Sequence, residues 1–232
     1  MSIDAMSGAV PVITIDGPSG TGKGTLAHLL AARLGWHLLD SGALYRIVAV
    51  GAEAQGIASS DIAGLCRFAH DMKVVFSPGA EESIRLDGQE VAPLVRLEES
   101  GEKASVIAAI PELREALFER QQAFRRPPGL VADGRDMGTV VFPDARLKFF
   151  LTASSQERVQ RRYKQLKNKG VSVNLSALLR DIEVRDQRDA SRAASPLLPA
   201  KTAVVVDTTA LDIDQVLDRV LAKVGEEFSR TF

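Results

Sequence analysis

Short hydrophobic runs alternate with helical patterns along most of the chain. The runs are rich in β-branched or aromatic residues and predict strands at 12–15, 36–39, 130–132, 147–151 and 202–207. Amphipathic helices are predicted at 23–34, at 43–54 and from about 213 onward. The first of these helices has an apolar face of Leu26, Leu29, Leu30 and Leu34. Strands that alternate with helices predict a three-layer α/β fold with a five-stranded parallel sheet.

The pattern changes between residues 72 and 126, where the alternation gives way to short strand-like runs and then helices. The runs lie at 73–76, 83–86 and 90–91, and turn residues separate them at 77–79 and at 87–88. They predict a small antiparallel sheet, and helices are predicted after it at 98–110 and 111–126. We therefore expect an inserted domain at 62–126 within a core domain made of residues 1–61, 127–153 and 193–232.

The segment 154–192 is basic, with ten lysines and arginines, five acidic residues and a net charge of +5. Ser154 and Glu157 have the spacing of a capping box, so a helix is predicted to begin there. A run of charge is often only the solvated face of a helix. However, seven of the ten cations are arginines, which suit phosphate recognition, and they fall on two predicted helices joined at 169–170. This favours a phosphate-binding helical lid.

Composition restricts the class of protein. The 232 residues are 45% hydrophobic and 25% charged, as in a soluble globular protein with a sizeable core. The net charge of −1 argues against general binding to nucleic acid or membrane surfaces. No apolar stretch is long enough to span a bilayer, and residues 1–10 lack a signal-peptide pattern. The single cysteine, Cys66, cannot form an intrachain disulfide, so we expect a cytoplasmic protein, and we expect a monomer.

The strongest chemical signal lies between the first predicted strand and the first predicted helix. The residues there are Gly17, Pro18, Ser19, Gly20, Thr21, Gly22, Lys23, Gly24 and Thr25. Glycines let backbone N–H groups turn around an anion, and a lysine and a helix N-terminus add positive charge. The alternative is a glycine-rich turn without a ligand. The usual motif has Ser or Thr directly after the lysine. Here the order is Gly-Lys-Gly-Thr, which resembles nucleoside monophosphate kinases, whose loop holds the donor triphosphate.

Polar residues follow several predicted strands. Residues 40–41, 133–136 and 207–208 come, like the glycine-rich loop, at carboxyl ends of strands, and therefore at one edge of a parallel sheet. For 133–136 the alternative is an ordinary turn between a strand and a helix. A triphosphate, a second anion and many arginines at one edge suit phosphoryl transfer, which depends on positioning and charge neutralisation. A lid over the phosphates would also exclude water.

Three segments, 16–46, 133–144 (DGRDMGTVVFPD) and 185–198 (RDQRDASRAASPLL), resemble bacterial cytidylate kinase. The resemblance covers essentially the whole chain, because the insertion is also of the kind found in the longer bacterial members. It implies phosphoryl transfer from ATP to CMP or dCMP, giving ADP and CDP or dCDP. It also implies a Mg²⁺ ion on the outer phosphates, with Thr25 as its best protein ligand. The acceptor is already a phosphate anion, so no general base is expected.

The same resemblance implies roles for individual residues. The donor ATP would be bound by residues 17–25 and Thr208. The acceptor's cytosine would be read by Ser41, Arg114 and Asp136, and its sugar by Ser105, Arg185 and Asp189. The acceptor's phosphate would be held by Arg46, Arg135 and Arg192. The catalytic side chains would be Lys23, Arg135, Arg158, Arg162 and Arg192. Arg161 could exchange roles with Arg162, since helix phase alone does not decide between them.

Three alternatives stay open at this point. A related kinase for UMP, AMP or shikimate would share the core, but the inserted sheet and the 133–138 segment (DGRDMG) argue against it. A carboxylate at Asp136 would accept a hydrogen bond from cytosine's amine, where uracil carries an acceptor oxygen. A GTP-hydrolysing switch needs an Asn-Lys-x-Asp guanine reader, and residues 168–171 lack the aspartate. A non-catalytic nucleotide-binding module would bind ATP and CMP without forming ADP.

Overall fold

The computed structural model describes residues 10–77, 83–168 and 170–229. In order along the chain, the strands within them are β1 Val12–Asp16, β2 His37–Asp40, β3 Val74–Ser77, β4 Ser83–Leu86, β5 Gln89–Glu90, β6 Leu130–Gly134, β7 Leu147–Thr152 and β8 Val204–Asp207. The α-helices are α1 Lys23–Leu34, α2 Ser41–Ala54, α3 Ile62–Asp71, α4 Ala92–Val95, α5 Glu98–Ile107, α6 Pro111–Gln122, α7 Ser155–Asn168, α8 Leu175–Ser191 and α9 Ile213–Ser229. A short π-helix, Met137–Val141, follows β6.

The predicted five-stranded parallel sheet is confirmed, with the strand order β2-β6-β1-β7-β8. β1 is central, and its Ile13 is in register with Val131 of β6 and with Leu147 of β7. Every residue of β1 is buried, as expected for a parallel strand that is covered on both faces. The sheet therefore brings the carboxyl ends of β1, β6, β7 and β8 to one edge.

The central strands run further than the hydrophobic pattern indicated. β1 continues to Asp16, β6 to Gly134 and β7 to Thr152, each beyond the last apolar residue of its run. Backbone pairing explains the difference, because Asp16 is in register with both Gly134 and Phe150 whatever the polarity of its side chain. The polar residues at these ends are consequently held by the sheet itself.

By its internal contacts the chain divides into two compact units. One, here called the sheet unit, contains the residues up to Leu39 and those from Gln122 onward. The other, the inserted unit, is Asp40–Gln121. The insertion expected from the sequence starts later, at residue 62. The difference is α2, which packs against α3, α4 and α5 of the inserted unit, although its sequence pattern is that of any amphipathic core helix.

The core of the sheet unit lies between the sheet and helices α1 and α9. Trp36 contacts Phe228 edge-on, with the ring centroids 5.6 Å apart. In α1 the buried residues are Leu26, Ala27, Leu30 and Ala31, whereas Leu29 is exposed. The prediction for Leu29 is therefore wrong, because small alanines, which carry little hydrophobic signal, occupy the tightly packed side of the helix. No helix in the described part of the chain combines the length and apolarity that a membrane span requires.

The inserted unit contains the predicted antiparallel sheet, in the order β3-β4-β5. Val75 is in register with Arg85, and Arg85 with Glu90. Most of the turn predicted at 77–79 lies outside the described residues. β3 and β5 are shifted by one residue from their predicted positions, and α5 ends at Ile107 rather than at 110.

α2 begins two residues before its predicted start, at Ser41. The reason is a cap: the Asp40 side chain accepts a hydrogen bond from the Ala43 N–H at 2.9 Å.

Candidate active site

The loop between β1 and α1 has the backbone of an anion-binding loop. Gly22, the N-cap of α1, has a φ of 88°, which side-chain-bearing residues seldom adopt. A Cβ atom on Gly17 would overlap the carbonyl oxygen of Leu151 in β7, so this position also needs glycine. The loop leads directly into the N-terminus of α1, where the helix presents its unsatisfied N–H groups. A phosphate group suits this arrangement.

The first turn of the loop is closed by its own side chains. Thr21 Oγ1 donates to the carbonyl oxygen of Pro18 at 3.1 Å, and Lys23 Nζ donates to the same oxygen at 3.4 Å. The ammonium of Lys23 therefore lies over the loop rather than away from it. A compact charge on a flexible stem in this position can reach the outer phosphates of a bound triphosphate.

Two oxygen-bearing side chains lie where α1 begins. Thr25 is exposed in the first turn of the helix. Asp133 is buried in β6, in register with Ile15 of β1, and its carboxylate faces Gly24: a Cβ atom on that glycine would be 3.2 Å from Asp133 Oδ2. Asp133 is not among the individual site residues predicted from the sequence. The signal that could have found it is an acidic residue at the end of the strand next to β1.

A buried ion cluster lies at the carboxyl end of the sheet. Asp189 of α8 accepts from Arg135 Nε at 2.8 Å and pairs with Arg192 Nη2 at 3.2 Å. Asp189 and Arg192 are buried. The positive charge of Arg185, one turn before Asp189 in α8, also lowers the pKa of the Asp189 carboxyl. Burial alone would raise the pKa of Asp189, but the Arg135 and Arg192 guanidiniums outweigh it and hold the pKa below its ordinary value. Asp189 is therefore an anion that fixes two arginines.

Asp16, at the end of β1, holds the segment that carries Asp136. Its carboxylate accepts hydrogen bonds from the N–H groups of Met137 at 2.9 Å and Gly138 at 2.8 Å. These bonds fix the start of the π-helix, for which Asp136 is the N-cap. Burial raises the pKa of Asp16 to about 6, although the two backbone hydrogen bonds oppose the shift. Asp136, the residue before Met137, is itself buried.

The two helices predicted to form the lid are α7 and α8, and Arg158 joins them to the loop between β1 and α1. Ser154 Oγ accepts from the Glu157 N–H at 3.2 Å, as expected of the predicted cap of α7. Arg158 donates to both carboxylate oxygens of Asp186 in α8, at 3.0 and 2.6 Å. It also donates to the carbonyl oxygen of Ser19 at 3.2 Å. The Arg158 side chain is buried and connects α7 and α8 to the loop between β1 and α1.

The neighbouring arginines of α7 point in different directions. Arg161 Nη1 donates to the carbonyl oxygen of Thr21 at 3.3 Å and to Thr208 Oγ1 at 3.0 Å. Arg162 Nη1 donates to Gln165 Oε1 within α7 at 2.5 Å. The phase of α7 thus directs Arg161 towards the loop in this structure, whereas Arg162 contacts its own helix. The assignment of Arg162 to the transferring phosphate stays a prediction.

Thr208, predicted to bind ATP, follows β8 and is buried. Its hydroxyl lies 3.1 Å from the carbonyl oxygen of Thr21 and 3.0 Å from that of Thr152. These contacts favour an indirect role, in which the hydroxyl supports the loop rather than the nucleotide.

Four predicted acceptor residues lie in the inserted unit. Arg46 of α2 donates to the carbonyl oxygens of Val95 at 3.0 Å and Leu97 at 3.4 Å. Arg114 of α6 donates to the carbonyl oxygen of Ala108 at 3.0 Å, and its guanidinium lies 5.7 Å from the centre of the Tyr45 ring. Ser41 and Ser105 are both buried, in α2 and α5. Both arginines are therefore oriented by backbone carbonyls within their own unit.

A parallel sheet with an anion-binding loop after its central strand, beside a set of buried arginines, defines a P-loop protein that handles phosphate esters. Comparison with known proteins gives the family. The cytidylate kinase family matches residues 13–226, and the chain belongs to that family.

Two curated relatives are similar along nearly their whole length. The cytidylate kinase of Pseudomonas entomophila is 54% identical over 95% of this chain and 98% of the relative. The cytidylate kinase of Aeromonas hydrophila subsp. hydrophila is 56% identical over 91% of this chain and 93% of the relative. Among solved structures, a gluconokinase from Sinorhizobium meliloti 1021 is 16% identical with a TM-score of 0.44, over 95% of this chain and 93% of that one.

Proposed function

We infer that this protein transfers the γ-phosphoryl group of ATP to CMP or dCMP, giving ADP and CDP or dCDP. One observation supports this most strongly: the phosphate loop and the Arg135–Asp189–Arg192 cluster both lie at the carboxyl edge of the same parallel sheet. One site suits a triphosphate donor and the other suits a phosphate acceptor. Family membership supplies the identity of the base and of the donor.

On the donor side, we propose that residues 17–25 bind the triphosphate. The left-handed turn at Gly22 and the N-terminus of α1 direct N–H groups to the phosphates. Lys23 would neutralise charge on the outer phosphates, where the transition state gathers it. Arg158 and Arg162 would add charge from α7. Arg158 must then exchange its present partner, Asp186, for the nucleotide, or act by holding the loop.

On the acceptor side, the buried cluster would present two guanidiniums to the monophosphate. Asp189 holds Arg135 and Arg192 in fixed orientations, so less conformational entropy is lost when they bind an anion. Arg46 is assigned to the same phosphate, and Arg185, Asp189 and Ser105 to the sugar. Bidentate guanidinium contacts orient a phosphate for in-line attack. Since the acceptor oxygen is already anionic, the protein's task is positioning.

Base selection is assigned to Asp136, with Ser41 and Arg114. An ionised carboxylate accepts a hydrogen bond from cytosine's amine and faces an acceptor oxygen in uracil, which is worth about 1–3 kcal/mol of discrimination. The hydrogen bonds that Asp16 accepts support this role, because one of them fixes the backbone of Met137, directly after Asp136. A base-reading residue must be held rigidly for its hydrogen bond to discriminate.

Thr25 in the first turn of α1 and Asp133 in β6 fit a Mg²⁺ ion that arrives with ATP. Thr25 offers a hydroxyl, and Asp133 offers a carboxylate oxygen next to Gly24. Mg²⁺ prefers hard oxygen ligands and is commonly held by one or two side chains together with substrate phosphates. Within the described residues no group of three or more His, Cys, Asp or Glu side chains could hold a metal alone. When bound, the ion would neutralise charge on the outer phosphates.

We also propose that the protein acts in the cytoplasm as a monomer, on small-molecule nucleotides and not on nucleic acid. The single cysteine, Cys66, forms no disulfide, as is usual in a reducing compartment. The net charge of −1 offers little general attraction to a polyanion.

The experiment that tests this function measures ADP formation from ATP with CMP, dCMP, UMP and AMP as acceptors. We expect turnover with CMP and dCMP, and kcat/KM for UMP lower by about tenfold or more. If UMP or AMP were as good an acceptor as CMP, the assignment of base reading to Asp136 would be wrong. Binding of ATP and CMP without any ADP would indicate a non-catalytic nucleotide-binding module.

A further inference from the structure

In the phosphate loop, the carbonyl group of Thr21 is held by two side chains from outside the loop, Arg161 and Thr208, to which the proposed function assigns no role. The carbonyl oxygen of Thr21 accepts from Arg161 Nη1 at 3.3 Å and lies 3.1 Å from Thr208 Oγ1. Arg161 comes from the lid helix α7, whereas Thr208 follows the edge strand β8. One peptide of the loop is thus fixed by two elements that are distant in sequence.

The Arg161 guanidinium is itself fixed by several acceptors. Its Nη2 donates to the carbonyl oxygen of Thr208 at 2.5 Å and to that of Leu211 at 3.4 Å, and its Nη1 donates to Thr208 Oγ1 at 3.0 Å. Glu157, one turn earlier in α7, pairs with Nε at 3.0 Å. A planar fork with five donors can span acceptors on two loops, and an ammonium group cannot reproduce that geometry.

The orientation of this peptide matters to an anion. In a planar trans peptide the C=O and the following N–H point in opposite directions. When the Thr21 carbonyl is held towards Arg161 and Thr208, the N–H of Gly22 is directed to the other side. That N–H belongs to the N-cap residue of α1, where the helix presents its unsatisfied donors.

We propose that Arg161 and Thr208 are positioning residues for the donor: together they hold the Thr21–Gly22 peptide so that its N–H faces the triphosphate. The proposal rests on the proposed function, because it takes the loop as the donor site. Thr208 is only 1% exposed, so its hydroxyl acts through the loop and not by touching ATP. Arg161 differs from Arg158 and Arg162, which are assigned to the phosphates themselves.

The test is calorimetric titration of the full-length protein with inorganic tripolyphosphate, ATP and CMP. Thr208→Val removes the hydroxyl at nearly constant volume. We expect it to weaken the binding of tripolyphosphate and ATP roughly 5- to 20-fold, as for the loss of one supported hydrogen bond, with CMP affinity changed less than about twofold. Thr208→Ser should restore tripolyphosphate affinity. Thr209→Val is the matched control, because Thr209 Oγ1 bonds Asp207 and Ser154 rather than residues 17–25.

Substitutions of Arg161 distinguish the contribution of guanidinium geometry from that of positive charge. Arg161→Lys keeps the positive charge but loses the fork, so we expect it to weaken tripolyphosphate binding almost as much as Arg161→Gln does. The double variant Arg161→Gln/Thr208→Val should lose less affinity than the two single losses together, since both side chains hold the same peptide. Melting temperatures, measured for every variant, report any general loss of stability.

Three results would overturn the proposal. One is unchanged tripolyphosphate affinity in folded Thr208→Val. Another is an equal loss of CMP and tripolyphosphate affinity, which would indicate a general structural role. The third is full rescue by Arg161→Lys. Lys23→Ala separates the two levels of inference: if it left tripolyphosphate binding intact, the donor-site assignment itself would be wrong.

Discussion

Replacing Asp189 with Asn should destabilise the sheet unit by about 3–5 kcal/mol at pH 7. Asp189 pairs with Arg135 at 2.8 Å and with Arg192 at 3.2 Å, and the exposed fractions of the three side chains are 6%, 15% and 3%. The substitution keeps the shape of Asp189 but removes the negative charge that it places beside the nearly buried guanidinium of Arg192. The magnitude is that of breaking one partner out of a buried ion pair, where the remaining charge cannot be hydrated.

A second ion pair in the same unit gives a matched control. Asp144 accepts from Arg125 at 2.6 Å, but its side chain is 58% exposed. Asp144→Asn therefore makes the same chemical change at a solvated site, and we expect a loss of no more than about 1 kcal/mol. The assay is equilibrium unfolding in urea followed by the fluorescence of Trp36, the single tryptophan, which is buried against Phe228 in the sheet unit.

The pH dependence has a defined sign. The folded pKa of Asp189 lies below its ordinary value of 3.8, so the stability that this carboxylate contributes is present above that pH and is lost as the pH falls through the folded pKa. The difference in unfolding free energy between the native protein and Asp189→Asn should thus be constant from pH 8 to about pH 5. Equal losses for Asp189→Asn and Asp144→Asn would refute the reasoning from burial.

Three further predictions concern Lys23 in the phosphate loop, nucleobase selection by Asp136, and the buried carboxylate of Asp16. Lys23→Ala should lower kcat by a factor on the order of 10² to 10³ while the KM for CMP stays within about threefold; an unchanged kcat in steady-state kinetics would remove Lys23 from the donor phosphates. Asp136→Asn should reduce the CMP-over-UMP ratio of kcat/KM by about tenfold; an intact ratio would move base reading to other residues. Asp16 has a folded pKa of about 6, above its ordinary 3.8, so protonation stabilises the folded state as the pH falls. Relative to Asp16→Asn, the native protein should gain on the order of 2 kcal/mol of unfolding free energy between pH 7 and pH 4. An equal pH dependence of unfolding free energy in the two proteins would contradict this.

Local patterns were sufficient to predict the sheet and the phosphate loop. A β-branched run such as 12–15, followed by glycines and a lysine, has one common structural outcome, and the structure has that loop between β1 and α1. The hairpin β4-β5 was equally readable from Asp87-Gly88. These features depend on residues that are close together in the chain, which is why the sequence alone reveals them.

Features that depend on distant partners were not predictable. The π-helix Met137–Val141 begins where Asp16, more than 120 residues earlier, accepts the N–H of Gly138. The sequence of residues 137–141 alone does not indicate a π-helix or its hydrogen bond to Asp16. In the same way, the facing of Arg161 towards the loop depends on Thr208, which is 47 positions away. Helix periodicity places Arg161 and Arg162 about 100° apart but does not say which of them contacts the segment after β8.

The most direct test of the central claim follows the γ-phosphoryl group itself. ATP labelled at the γ-phosphorus is mixed with excess enzyme and CMP in a single turnover, and the products are separated. Phosphoryl transfer in a water-excluding site predicts that the label appears in the β-phosphate of CDP, with little inorganic phosphate. Label released chiefly as inorganic phosphate, with CMP unchanged, would contradict the assignment of this protein as a nucleoside monophosphate kinase.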